Sequence, residues 1–139
     1  MGTQQLLLIV LGVIIVGIAV VVGINIFGTN AEQANKDAIT QDCLRIAAAA
    51  QGYYRKPSML GGGNNSFVGC EITDCGMSQT DDANTGKNVN GTYVLSGHTA
   101  TGLVVTGTSA TDGSKKVTLT LNMEGDTDDE RVDIVYGGW

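Results

Sequence analysis

Three cysteines, one histidine and one dense acidic run are the side chains of this sequence that could do chemistry. Cys43, Cys70 and Cys75, with His98 as the only histidine, are too few and too unevenly placed for a zinc site, which typically takes four nitrogen or sulfur ligands. In an extracytoplasmic compartment they suit one disulfide with one thiol left over. Cys70 and Cys75 could close a short loop, or Cys43 could staple a helix to that loop. The facing of Cys43, into the core of the soluble part, favours it as one partner. His98 sits in a Ser-Gly-His-Thr-Ala context with no sign of the partner that nucleophilic catalysis needs. It is expected to be a solvated or turn histidine, and the chain is not expected to be an enzyme.

The run Asp126-Thr127-Asp128-Asp129-Glu130 puts four carboxylates within five residues, which could hold a hard cation such as calcium through oxygen. It lacks the EF-hand's ligand spacing and its glycine at the sixth loop position, so a solvated charged turn is expected, with no metal and no cofactor. Gly61, Gly62 and Gly63 lack the lysine and the following helix of a phosphate-cradling loop. With Asn64 and Asn65 they read as a turn, since both residue types accept positive φ. Asn64-Asn65-Ser66 and Asn90-Gly91-Thr92 match the N-glycosylation pattern.

The elements that must position these groups begin with an apolar run over residues 6–27. Its first 19 residues, 6–24, are only Leu, Ile, Val, Ala and Gly. As a helix the run is roughly 33 Å long, enough to cross a bilayer core of about 30 Å. A removable signal peptide would want a basic start and a shorter apolar core, whereas the first basic residue here is Lys36. At 100° per residue, Ala19 and Gly23 fall within about 20° of Gly12, while Gly17 and Gly28 lie on roughly the opposite side. Two opposed small-residue stripes suit a helix packed between neighbours on both sides.

All 14 acidic and all 8 basic residues follow residue 31, so the net charge of -6 belongs to the remainder. An acidic, patchless surface has no nucleic-acid footprint. Thr29-Asn30-Ala31-Glu32 has the form of a capping box, so a second helix can start there, after a kink at residues 28 and 29 or straight through. Ile39, Cys43, Ile46, Ala47, Ala50, Tyr53 and Tyr54 then gather on one helical face, and Gly52 and Pro57 mark the helix end. Strands are expected over 66–72, 92–96, 102–108, 117–122 and 131–136, with turns at Asn90-Gly91 and Asp112-Gly113 and an acidic loop over 124–130. Residues 77–90 read as an exposed loop. The expected fold is α+β: a stem over residues 1–28, then 29–139 as an amphipathic helix packed through Ile39, Ile46, Ala50 and Tyr53 on a small antiparallel sheet.

An apolar N-terminal helix, an amphipathic continuation ending in the AAAAQGYYRKP phrase of residues 47–57, and a small C-terminal antiparallel sheet together resemble the type IV pilin and pilin-like superfamily. The resemblance implies a subunit held first in the inner membrane, then extracted by pilus assembly machinery into a helical filament of copies of itself. Apolar stems bundle in the core of such a filament and sheets lie outside. Leu6, Gly12, Gly17, Ala19, Gly23, Phe27 and Gly28 would then be packing residues. Family members are usually cut to leave Phe or Met first and Glu fifth. Met1 fits the first position, no leader is visible, and Gln5 stands where the carboxylate would pair with a neighbour's amine. None of the seven aromatics precedes Phe27, so a stacked aromatic path through a filament core is not expected. The other readings are a membrane-anchored extracytoplasmic binding module, with its loops at 61–65 and 77–90 on a ligand, and a pseudopilin-like component of a secretion machine.

Overall fold

The structure, a computed structural model, describes residues 2–124 and 131–139. The fold is α+β. One helix, α1 (Gly2–Arg55), precedes a 3-10 turn (Ser58–Leu60) and five strands: β1 (Thr85–Lys87), β2 (Gly91–Ser96), β3 (Gly102–Ser109), β4 (Lys116–Asn122) and β5 (Val132–Gly137). Two compact units divide the chain, Met1–Ala34 and Asn35–Trp139.

Helix α1 does not restart at the capping-box residues. Thr29 Oγ1 donates to the Asn25 carbonyl at 2.9 Å, four residues back. The hydroxyl therefore bonds into the preceding turn, as Ser and Thr do inside helices. In the second unit the helix buries Ile39, Cys43, Ile46, Ala47 and Ala50, the face that the 3.6-residue period marks out. Tyr53 and Tyr54 pack partly buried beside them.

The sheet is an antiparallel meander in the order β1-β2-β3-β4-β5. Tyr93 and Leu95, Leu103 and Val105, and Val117, Leu119 and Leu121 alternate inward from β2, β3 and β4 and are buried with the helix face. This is the period of two that one covered sheet face requires. Gly107 lets the helix come close. A Cβ there would lie 2.6 Å from Ile39 Cγ2 and 2.8 Å from Cys43 Sγ.

Where α1 ends, its last carbonyls are taken by the following loop. The Gly63, Asn65 and Asn64 amides donate to the carbonyls of Tyr53, Tyr54 and Lys56 at 2.9, 2.7 and 3.0 Å, satisfying acceptors that every helix end leaves open. That wrap explains the glycine run. Gly61 has φ +78, and a Cβ on Gly62 or Gly63 would strike the Lys56 or Ser66 backbone.

Two sequence expectations are corrected. Residues 66–72 form turns rather than a strand, because Gly69 adopts φ +84 and the Cys70 amide donates to the Phe67 carbonyl at 3.1 Å. Conversely, β1 lies within the expected loop 77–90. It pairs with β2 through Thr85↔Val94, Gly86↔Tyr93 and Lys87↔Thr92, and Gln79 bridges to Gly86. Having no apolar alternation of its own, the Thr-Gly-Lys segment is held by its neighbour's backbone. The other four expected strands stand within a residue or two of their expected bounds.

Candidate functional site

Two places are candidates for chemistry or recognition. The first is the surface of α1 in unit Met1–Ala34. Every large apolar side chain among the described residues there is about half exposed or more, from 49 % at Val22 to 77 % at Phe27, with Leu6 at 62 %. That remaining shielding is what neighbours along a single helix supply. A Cβ added at Gly12, Gly17, Gly23 or Gly28 would meet nothing within 4 Å, and Ala19 is likewise exposed. The helix is long and apolar enough to cross a membrane, since it holds no charged side chain before Glu32. Met1 lies outside the described residues, and Gln5 is exposed on the helix.

The second place is in the globular unit, where the irregular segment between the 3-10 turn and β1 buries Phe67, Cys70, Ile72, Cys75 and Met77 against the core. Phe67 packs on Tyr54 with ring centroids 4.8 Å apart. Gly69 and Gly76, at φ +84 and +76, bracket a turn in which the Asp74 and Cys75 amides donate to the carbonyls of Glu71 and Ile72. The turn brings Cys70 Sγ and Cys75 Sγ to 3.8 Å. The hydrogen bond from Cys75 lowers the Cys70 thiol's pKa and raises that of Cys75.

Cys43 points into the core as its helical position predicts, but it meets Gly107 there, not the other sulfurs. All three cysteines are free thiols in the structure; the two it brings together are Cys70 and Cys75, whereas the expectation favoured Cys43 with one of them. Facing a core settles burial, and only the path of the loop settles which sulfurs meet. Burial pushes the Cys43 thiol up to about 12.

A shallow depression of about 300 Å³ opens over this segment, lined by Gly69, Cys70, Glu71, Ala83, Asn84 and His98. His98, expected as a solvated or turn histidine, lies in the short β2–β3 connection but is not fully solvated. It is half-buried, and its Nε2 is buried without a hydrogen-bond partner among the described residues. No group of three or more metal-ligating side chains occurs among the described residues. The carboxylates at 126–130 lie outside them.

A polar cluster with no sequence signature joins helix and sheet in the globular unit. Asp42 Oδ2 accepts from Asn88 Nδ2 at 2.8 Å, from Asn90 Nδ2 at 2.8 Å and from the Tyr93 phenol at 2.6 Å. Partial burial would raise the Asp42 pKa, but these three donors and the charge of Arg45 outweigh it and hold the carboxyl below its ordinary value. Burial first, then the hydrogen bond to Asp42, pushes the Tyr93 phenol up. Of the two glycosylation patterns, Asn90 has its amide nitrogen engaged here, while Asn64 stands exposed at φ 50. Nothing but position could have flagged Asp42, because its partners are 46 to 51 residues away in the chain.

No family model, curated protein or solved structure matches the chain.

Proposed function

We propose that this chain is the structural subunit of a type IV pilus-like filament at the cell surface. Residues 6–27 hold the unassembled subunit in the inner membrane, and pilus assembly machinery then moves it into a helical array of identical copies. The observation that carries this reading is the uncovered apolar surface of α1 in the first unit. Fully burying one Val, Leu or Ile side chain is worth roughly 1.5–3 kcal/mol, so a helix made of little else needs lipid or other helices around it.

The glycines favour helices as the final surroundings. Glycine costs a helix interior roughly 1 kcal/mol relative to alanine. At Gly12, Gly17, Gly23 and Gly28 that cost relieves no contact within the chain. Its use is a close approach by a neighbouring helix, the role of small residues in packed apolar helices. The globular unit then forms the outer surface, contributing packing and solubility rather than catalysis. Its acidic balance gives no general attraction to nucleic acid.

The test is electron microscopy of material sheared from cells that express the full chain. A uniform fibre composed of this protein is expected. Protein found only as a monomer in the membrane fraction would replace the filament with an anchored binding module. A short structure confined to a secretion complex would favour the pseudopilin-like role.

A further inference from the structure

We propose that Cys70 and Cys75 form an intramolecular disulfide that fastens the irregular segment between the 3-10 turn and β1, and that Cys43 is the thiol left free. The two sulfurs already lie in van der Waals contact at 3.8 Å. A disulfide bond is about 2.05 Å long, so closure asks the sulfurs to approach by roughly 1.8 Å in total.

The backbone that presents them is held from both sides. Glu71 N donates to Asp74 Oδ2 at 3.1 Å, the Cys70 amide donates to Phe67, and the Cys75 and Met77 amides both donate to Ile72. Left-handed glycines at 69 and 76 turn the chain at either end of the pair. The third cysteine does not compete, because Cys43 Sγ is lodged under Gly107 beside Ile39 and Tyr93. Cys70 lies in the wall of the open depression but is only 1 % exposed, so a reagent reaches its sulfur when this irregular segment opens locally.

The oxidant is a disulfide, R–S–S–R, protein-borne or small. The Cys70 thiol loses its proton, and the thiolate attacks one sulfur of the oxidant. This forms a mixed disulfide and expels RS⁻. Cys75, deprotonated in turn, attacks the Cys70 sulfur and expels the second RS⁻. Two electrons pass to the oxidant, and the two protons leave with the two RSH products. Both cysteines are 1 % exposed, so the closed bridge is shielded and serves structure rather than exchange. Such bridges persist in oxidising compartments. The proposal concerns the globular unit alone and stands or falls independently of filament assembly.

The test uses the full-length protein in detergent, brought to constant mass in oxidised or reduced glutathione, then denatured, treated with iodoacetamide and mapped by mass spectrometry. Oxidised protein should take up one label, at Cys43, and yield a Cys70–Cys75 linked peptide. Reduced protein should take up three labels and melt about 5–15 °C lower. Three labels after equilibration with oxidised glutathione, or a bridge that includes Cys43, would overturn the proposal. Cys43→Ser, which leaves both sulfurs of the pair in place, is the variant that checks the assignment. It should retain the bridge and the reductant-dependent melting shift, and loss of either would count equally against it.

Discussion

The Tyr93 phenol, on a side chain wholly buried in β2, donates to Asp42 Oδ2 on helix α1 at 2.6 Å. Two asparagine amides from the β1–β2 turn, Asn88 and Asn90, converge on the same oxygen. One carboxylate thus fixes a hairpin to a helix, and because the phenol reaches it from the core, the link sets how the helix lies across the sheet.

Replacing Tyr93 with Phe should lower stability by roughly 1.5–3 kcal/mol, the net worth of one hydrogen bond to a charged group. Asp42→Ala should cost more, roughly 2–4 kcal/mol, since it leaves three donors without their acceptor. Urea unfolding gives both values. In the Asp42→Ala background the Tyr93→Phe change should cost less than it does alone, and full additivity would mean that the two groups act independently.

The same carboxylate makes an acid-side prediction. Its folded pKa lies below the ordinary 3.8, so its contribution is fully present above that value and is lost as the pH falls through the folded pKa. The urea midpoint should decline below about pH 4. Asp42→Asn should be less stable at neutral pH and show a shallower decline. An unchanged acid profile in that variant would assign the acid sensitivity to other carboxylates.

Gly107→Ala should destabilise the globular unit by roughly 1–3 kcal/mol, the usual penalty for overpacking. The new methyl would meet Ile39 at 2.6 Å, Cys43 at 2.8 Å and Tyr93 at 3.1 Å. A compensating Cys43→Ala change should recover part of the loss. Thermal melting of the single and double variants decides the matter, and a neutral Gly107→Ala would show that the helix can move away from the sheet at little cost.

Gly17→Leu places a large side chain where the chain itself has open space. Its melting temperature as a detergent-solubilised subunit should stay within a degree or two of the parent, because nothing within the chain is displaced. Filaments should be lost or loosened when the same variant is expressed in cells and viewed by microscopy. Normal filaments would remove Gly17 from the packing surface.

The sequence by itself determined the elements that declare themselves by period. Residues 6–27 are apolar without a charge, the Ile39, Cys43, Ile46 and Ala50 face repeats at helical spacing, and four strands alternate, with a turn at Asn90-Gly91 before the first and another at Asp112-Gly113 between the second and third. Local spacing is enough for these, because each buries one face against whatever lies opposite. Only the tertiary structure decided which distant groups meet. Asp42 gained its three donors, Gly107 came under Ile39 and Cys43, His98 Nε2 was buried, and Cys70 rather than Cys43 came to lie against Cys75. The physical reason is that these contacts depend on how the helix lies across the sheet and on glycines turning through positive φ at 61, 69 and 76. A hydrophobic pattern marks which face is covered, but not which atoms on the covering element will touch it.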